Sequence, residues 1–215
     1  MPELTFEILA AEVKPFAAVP TLIFKLQVTN AVENEEIFSV GLKGQVMIEA
    51  VHRQYDSHTQ ERLVELFGEP ARWEETLNSL LWTYVFVPVP RFIGSLVVDV
   101  PIACSEDLTV ASGKYFYALR DGFVPLAVLF SGTIFYKTPE AALQVTQIPW
   151  EKEATFKLPI KIWQELMDTY YPNSKWLRLR KDTFDRLYEY KMKNAIPTLE
   201  ACLDKLIEQT LKLNQ

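Results

Sequence analysis

The stretch of sequence that decides the fold lies near the middle of the chain: Lys114-Tyr-Phe-Tyr-Ala-Leu-Arg-Asp-Gly-Phe-Val-Pro-Leu-Ala-Val-Leu-Phe-Ser-Gly-Thr-Ile-Phe-Tyr136. Two runs rich in aromatic and β-branched residues flank Asp121-Gly122. Asp-Gly between two such runs is a strong signal for a tight β-hairpin turn. The sequence therefore predicts a hairpin here, which indicates that antiparallel strands form the body of the protein.

Several other segments alternate between apolar and polar residues, which is typical of strands with one face on a core. In Pro20–Asn30, for example, Leu22 and Phe24 fall on one face and Lys25 and Gln27 on the other. The predicted strands outside the hairpin are Leu4–Val13, Pro20–Asn30, Phe38–Ala50, Trp82–Val89, Phe92–Val100 and Gln144–Pro149. Trp82–Val89 is nearly all apolar, which favours a strand buried on both faces.

Helical spacing of apolar residues appears in two places, near residues 57–80 and after Trp150. In the first, Thr59–Phe67 ends at Gly68, a residue suited to the position just past a helix. A second short helix follows from Glu69-Pro70 to about Leu80. The helices predicted after Trp150 are Ile160–Tyr170, a segment from Asp182 or Thr183 to about Ala195, and a segment from Pro197 onward.

These elements predict an α+β protein that is mainly antiparallel β. We expect an immunoglobulin-like β-sandwich of about seven strands over residues 1–149, with a short helical insertion near 57–80. Residues 150–215 are expected to form a helical C-terminal cap packed on the sandwich, in one compact unit. A partly open β-barrel is the alternative. The Cys–Trp–Cys signature of antibody domains is missing, so the likeness concerns architecture only.

Composition narrows the classes of function. The 215 residues are 49% hydrophobic and 23% charged, with a net charge of −6, which argues against a nucleic-acid-binding protein. The N-terminus lacks the features of a signal peptide, and no apolar run is long enough to span a membrane. We therefore expect a cytoplasmic protein whose two cysteines, Cys104 and Cys202, are reduced and unpaired.

Candidate metal ligands and nucleophiles are few. His52, Asp56 and His58 are residue types that bind zinc, but their spacing fits no common short motif, so an exposed turn is the preferred interpretation. Cys104 precedes Glu106 and Asp107, which would disfavour a thiolate, and it is interpreted as a buried structural residue. Cys202 lies on the apolar stripe of the last helix and is interpreted as core.

Other catalytic signatures are weak or missing. Ser131 lies in Phe-Ser-Gly-Thr and not in the Gly-x-Ser-x-Gly turn of hydrolases, and Gly132 is expected to mark a bulge or a close backbone approach. The acidic pairs Glu74-Glu75 and Glu151/Glu153 are typical of a solvated surface. Gly-rich nucleotide-binding loops and calcium-binding loops are absent from the sequence. We predict no cofactor, no resident metal and no catalytic residues.

The remaining candidate site is a segment of aromatic and basic residues after the predicted strands. From Lys175 onward the chain has nine Lys and Arg against six Asp and Glu, although the whole chain is acidic. Aromatic residues beside arginine are typical of binding hot spots. The predicted binding residues are Tyr170, Tyr171, Trp176, Arg178, Arg180 and Lys181. The alternative is that the aromatic side chains are buried and the charges solvate the helices.

The chain resembles a bacterial domain family of unknown function along nearly its whole length. The residues that carry the resemblance are Trp73-Glu-Glu-Thr-Leu77, Val89-Pro-Arg-Phe-Ile-Gly94, Tyr115-Phe-Tyr-Ala-Leu119, Pro125-Leu-Ala-Val-Leu-Phe-Ser-Gly-Thr-Ile-Phe-Tyr136, Ile148-Pro-Trp150, Tyr171-Pro-Asn173 and Trp176. These are packing motifs, so the resemblance implies no activity and no catalytic residues. It implies an association with gene clusters for nickel–iron hydrogenases, and hence an accessory or maturation role.

The sequence thus predicts a non-enzymatic accessory or interaction protein with a protein partner. Two alternatives stay open. One is a binder of small ligands in a pocket between sandwich and cap, and the other is an enzyme with a site assembled from dispersed carboxylates and His52 or His58. An enzyme requires converging ionisable groups, whereas an interaction protein requires an exposed aromatic patch.

Overall fold

The computed structural model describes residues 1–104, 110–138, 142–174 and 178–213. The chain divides into two compact units, Met1–Lys175 and Trp176–Gln215. The described strands all belong to the first unit: β1 (Leu4–Val13), β2 (Thr21–Asn30), β3 (Ile37–Ile48), β4 (Leu80–Val89), β5 (Ser95–Ala103), β6 (Phe123–Lys137), β7 (Leu143–Gln147) and β8 (Glu153–Pro159). Its helices are α1 (Ser57–Phe67), α2 (Trp73–Thr76), α3 (Ala111–Ala118) and α4 (Ile160–Tyr170).

The strands form two open sheets. One sheet has three strands in the order β1-β2-β5. The other has five strands, with the order β4-β3-β6 and with both β7 and β8 paired to β6 along different parts of its length. All of the described strand pairs are antiparallel. The prediction of an α+β class with mainly antiparallel strands is therefore confirmed.

The core lies between the two sheets, because alternate side chains of each strand point inward. Phe6 of β1 and Phe130 of β6 are stacked with their ring centroids 4.3 Å apart, which joins one sheet to the other. Leu22, Leu26 and Leu42 are almost fully buried in the same cluster. Burying one such side chain contributes about 1.5–3 kcal/mol.

The predicted hairpin is wrong in its first arm. Residues 111–118 form helix α3, and Asp121-Gly122 connects this helix to β6. Tyr115 and Phe116 are both buried, which a strand with one buried face does not allow for consecutive residues. The ring of Phe116 packs against Trp82 and Trp163, with centroids 4.8 and 5.2 Å away. This packing overrides the β propensity of the aromatic run.

Helix α1 ends at its predicted signal, Gly68, and begins two residues before the predicted start at Thr59. The carboxylate of Asp56 accepts a hydrogen bond from the Thr59 backbone N–H at 2.7 Å, which caps the first turn. Gly68 ends the helix with a φ of +75°, as its position predicts. The following segment is shorter than predicted, with a 3₁₀ turn at Pro70–Arg72 and then α2.

Strand β8 was not predicted, although α4 matches its predicted bounds. β8 pairs with β6 from Phe123 to Leu129, and α4 packs on β1, β2 and β8. Residues 153–170 therefore belong to the first unit. The predicted boundary after residue 149 falls before this strand, whereas the second unit begins at residue 176.

The second unit is built from α5 (Lys181–Lys193) and α6 (Leu199–Leu213), which pack on each other. The Tyr190 hydroxyl donates a hydrogen bond to Gln209 Oε1 at 3.4 Å. Phe184 and Tyr188 stack along α5, and Cys202 of α6 is buried. Among the described residues of the whole chain, no helix combines the length and apolar character needed to cross a membrane.

Candidate functional site

The outward-facing side chains of the five-stranded sheet form a face rich in aromatic residues. The strand register sets two rows across the sheet. In one row Lys43 lies between Phe86 and Ser131, and in the next Gln45 lies between Tyr84 and Leu129. Trp150, in the turn after β7, completes the rim. We call this surface the aromatic face; its residues are Lys43, Gln45, Tyr84, Phe86, Leu129, Ser131 and Trp150.

The apolar residues of the aromatic face are unusually exposed. Trp150 is 89% exposed, Tyr84 67%, Phe86 63% and Leu129 39%. Together with the polar residues they line an open depression of about 520 Å³. Exposed apolar residues that are scattered singly need no explanation, but a contiguous patch marks a binding surface. The geometry therefore makes this face the candidate site.

The polar groups of the aromatic face favour binding over chemistry. Lys43 is its one charged residue, and among the residues that the structure describes no carboxylate lies within ion-pair distance of it. Gln45 and Ser131 add neutral donors and acceptors. The face can therefore hold an apolar segment together with a carboxylate.

The interior between the sheets offers no room for a ligand. The cavity there measures about 10 Å³ and is lined by apolar side chains such as Phe24, Leu42 and Phe130. A volume of this size holds at most about one water molecule.

The aromatic face was missed by the sequence analysis because β4 was predicted to be buried on both faces. The structure corrects this: β4 is an edge strand, and Tyr84, Phe86 and Pro88 are exposed on its outer face. Pro88 was the available signal, since proline within a strand favours an edge position.

The predicted binding residues are distributed over both units. Tyr170 and Tyr171 are half-buried against the core of the first unit, and the Tyr170 hydroxyl donates to the Ala17 carbonyl at 2.8 Å. Arg178, Arg180 and Lys181 are exposed in the second unit. Arg180 forms an ion pair with Asp182, with 3.6 Å between Arg180 Nη2 and Asp182 Oδ2. Trp176 lies outside the described residues.

The candidate metal ligands do not converge. His52 is exposed beside Glu49 at 3.8 Å, Asp56 caps α1, and His58 is exposed on α1 beside Glu61 at 3.9 Å. The hydrogen bond from Thr59 keeps the pKa of Asp56 below its ordinary value. Among the described residues no three His, Cys, Asp or Glu side chains lie close enough to hold a metal ion.

The buried titratable groups have structural roles. Burial raises the pKa of the Cys104 thiol to about 12, so Cys104 is not a thiolate at neutral pH, and both cysteines are free. The Tyr55 hydroxyl donates to the Ala50 carbonyl, and the Tyr115 hydroxyl then donates to Tyr55, each at 2.7 Å. Burial raises the pKa of both tyrosines.

Ser79, which lies near His52, is hydrogen-bonded to a carboxylate. The Ser79 hydroxyl donates to Glu49 Oε2 at 2.6 Å, and the His52 imidazole lies on the same carboxylate. A nucleophilic serine needs the imidazole itself as its base. This arrangement therefore stabilises the entry into β4 and does not activate Ser79.

Comparison with known proteins assigns the chain to a family. The chain belongs to a family of unknown function, DUF6084, which matches residues 1–215. No curated protein matches it. Among solved structures it is similar to β-glucosidase 3B from Thermotoga neapolitana in complex with α-D-glucose, at 13% identity and a TM-score of 0.23. That likeness covers 73% of this chain and 17% of the β-glucosidase, and at this score it carries no argument.

Proposed function

We propose that this protein is a non-enzymatic accessory protein that binds a protein partner through the aromatic face. The observation that carries the proposal is the pair of rows Phe86–Lys43–Ser131 and Tyr84–Gln45–Leu129, exposed on an otherwise well-packed sheet. Tyrosine, tryptophan and phenylalanine are enriched in protein interfaces because they combine a large apolar area with few rotatable bonds.

Charge supports a protein partner over a nucleic acid. The chain carries a net charge of −6, and the aromatic face contains one cation, Lys43. Binding to a phosphate backbone depends on several lysine and arginine contacts. One lysine among aromatic residues suits a single carboxylate of a protein surface, since rim charges mainly set orientation and the rate of association.

The proposal also includes several features that are inferred from the amino-acid sequence. In it the strands form an immunoglobulin-like sandwich capped by α4, and the protein acts in the bacterial cytoplasm in the assembly of a partner enzyme. Arg178, Arg180 and Lys181, which are exposed in the second unit, form a second surface that attracts an acidic partner.

The test is affinity capture from the native organism with three purified variants beside the wild type. Leu129→Ser/Trp150→Ser removes apolar contacts from the aromatic face without touching a strand edge. Leu9→Ser/Val97→Ser is the matched control, because both residues are 46% exposed on the three-stranded sheet. The third variant, Arg178→Glu/Arg180→Glu/Lys181→Glu, examines the second surface.

We expect the Leu129→Ser/Trp150→Ser variant to lose a captured protein that the control variant retains, by a factor of about ten or more. Loss of the same protein from the charge-reversed variant would assign the second surface to the same partner, and this loss should grow at low salt. Equal capture by the wild type and by Leu129→Ser/Trp150→Ser would contradict the proposal for the aromatic face.

A further inference from the structure

Strand β4 is an edge strand whose central segment, between the register shift at Trp82 and Pro88, carries no charge, bulge or proline. Among the described residues it pairs only with β3. Its sequence from Leu80 to Val89 contains no charged residue, like that of β7 but with aromatic residues exposed, whereas β1, β5 and β8 contain Glu7, Asp99 and Lys157. Natural proteins place charges or bulges on exposed edges to prevent pairing with another chain. An uncharged aromatic edge therefore indicates that something pairs with it.

The hydrogen-bond pattern of the sheet shows which residues of β4 point to the open edge. The Phe130 N–H donates to the Lys152 carbonyl, so Phe130 faces away from β3 and its neighbour Ser131 faces toward β3. Ser131 is paired with Lys43, so the next residue of β3, Gly44, faces β4 and bonds with Val85. Since backbone direction alternates along a strand, the N–H and C=O groups of Tyr84 and Phe86 face the open edge.

The residue types around Val85 follow the same order toward the N-terminus and toward the C-terminus of β4. β-Branched Thr83 and Val87 flank the aromatic pair Tyr84 and Phe86, with Val85 at the centre. On one side the ladder is interrupted at Trp82, which lies in the register shift between β3 and β4. On the other side Pro88 lacks an N–H. A two-fold interface requires this kind of self-complementary surface.

We infer that the occupant of this edge is a second copy of the chain, paired antiparallel through β4 with Val85 on the two-fold axis. In this register Tyr84 lies opposite the partner's Phe86, and Phe86 opposite the partner's Tyr84. Each of the two pairs exchanges two N–H···O=C bonds, which satisfies both backbone N–H groups and both carbonyls of Tyr84 and Phe86, although the Tyr84 carbonyl also accepts from the Thr83 hydroxyl at 3.3 Å. The aromatic side chains of each pair lie on the same outer face, where cross-strand aromatic pairs stabilise a sheet.

This inference goes beyond the proposed function, and it leaves available the part of the aromatic face around Leu129 and Trp150. Leu129 lies on β6, two strands in from the edge, and Trp150 lies in a turn after β7. Pairing through β4 therefore joins two five-stranded sheets and places two aromatic faces side by side. A partner with two matching segments would bind such a dimer more tightly than a monomer.

The first test is the mass of the purified full chain in solution. At about 100 µM we expect twice the chain mass of 24.8 kDa by sedimentation velocity and light scattering. The edge variant Tyr84→Lys/Phe86→Lys should be monomeric with an unchanged circular dichroism spectrum, because both residues are exposed. Leu129→Lys/Trp150→Lys is the control, with two new charges on the same face but away from the edge, and it should stay dimeric.

The second test fixes the register and does not depend on the edge variant. In the inferred dimer the two Val85 Cα atoms lie about 4.5 Å apart, which allows a disulfide. Val85→Cys should therefore form a dimer under mild oxidation, whereas Phe16→Cys, on a fully exposed loop, should not. A monomeric wild type, a dimer that persists in Tyr84→Lys/Phe86→Lys, or failure of Val85→Cys to cross-link would each overturn the inference.

Discussion

The outer face of the three-stranded sheet is charged and internally paired around Lys25, whereas the outer face of the five-stranded sheet is aromatic along β4. On the first, Lys25 Nζ lies 2.8 Å from both Glu12 Oε1 and Asp99 Oδ1. On the second, Lys43 lies between Phe86 and Ser131, with no ion pair within the part of the chain that the structure describes. The inward residues of both sheets belong to the same apolar core, so they do not distinguish the two sheets. The outward residues do.

The two sheets share the same antiparallel backbone pattern but differ in the residues that they expose to solvent. A face that meets only water is satisfied by charges that pair with one another, as around Lys25. A face that leaves Tyr84, Phe86 and Trp150 in water carries a free-energy penalty from hydration of apolar surface, about 25 cal/mol for each Å². That penalty is relieved when a partner covers the face, so the contrast itself supports a binding role.

The largest effect is expected where the five-stranded sheet is tightest. Gly132 of β6 has a φ of +139°, and a Cβ atom there would lie 2.0 Å from the Gly41 carbonyl oxygen of β3. Gly132→Ala should therefore destabilise the fold by about 4 kcal/mol or more, because both backbone strain and a backbone clash oppose it. Urea unfolding measures the change.

Gly41 provides the matched control for this prediction. A Cβ atom at Gly41 would meet nothing within 4 Å, although Gly41 lies directly beside the site of the clash. Gly41→Ala should change the free energy of unfolding by less than about 1 kcal/mol. Similar unfolding midpoints for Gly132→Ala and Gly41→Ala would show that the close approach is not required.

The second prediction compares two neighbouring residues on opposite faces of β6. Phe130 points into the core and stacks on Phe6, whereas Leu129 belongs to the aromatic face. Phe130→Ala should lower the free energy of unfolding by about 3–5 kcal/mol, the usual range for a buried phenylalanine. Leu129→Ala should lower it by less than about 1 kcal/mol. A loss at Leu129 as large as that at Phe130 would mean that this face is already covered within the chain.

The inward residues of the sheets were the part of the fold that the sequence predicted best. Period-two alternation located β1, β2 and β3 to within two residues at each end, because one buried face constrains every second position. Gly132 was correctly interpreted as a close backbone approach. Helix α4 was predicted with its observed bounds, since its apolar residues recur at helical spacing.

The errors arise where tertiary contacts decide between two local structures. Tyr115 and Phe116 have high β propensity, but their packing against Trp82 and Trp163 selects a helix. The short strand β8 was missed because half of its residues face the outside and its register depends on β6. The aromatic face was missed for a related reason: exposure of Tyr84 depends on which strand lies beside β4, and a propensity pattern does not contain that information.

The third prediction concerns the end of the three-stranded sheet, where Cys104 is buried. Its pKa is raised by burial from about 9.0 to about 12, so the unfolded chain loses its proton first as the pH rises. The contribution of this group to the free energy of unfolding is fully present below pH 9 and is lost between pH 9 and pH 12. The expected slope is about 1.4 kcal/mol for each pH unit.

Urea unfolding at pH 9 and pH 10 measures this slope, and because the ordinary pKa of tyrosine is about 10, the contribution of the tyrosines is removed by comparing the wild type with Cys104→Ala. The free energy of unfolding of Cys104→Ala should fall less steeply between pH 9 and pH 10 than that of the wild type, whatever the stability of the variant at pH 7. Ile102→Val, a change at a neighbouring buried residue without a titratable group, should keep the wild-type slope. Equal slopes for Cys104→Ala and the wild type would contradict the prediction.

The smallest effect tests the contrast between the two lysines directly. Lys25→Met removes a cation that holds Glu12 and Asp99 on the three-stranded sheet, and these bonds raise the pKa of Lys25. Lys43→Met removes a cation that lies between Phe86 and Ser131 and replaces it with an apolar side chain. We expect a small decrease in the urea midpoint for Lys25→Met and no decrease for Lys43→Met. Salt should reduce the effect at Lys25, because exposed charges are screened at high ionic strength. A larger loss for Lys43→Met than for Lys25→Met would mean that Lys43 is fixed by contacts within the chain, and its role as an anchor for a partner's carboxylate would then be abandoned.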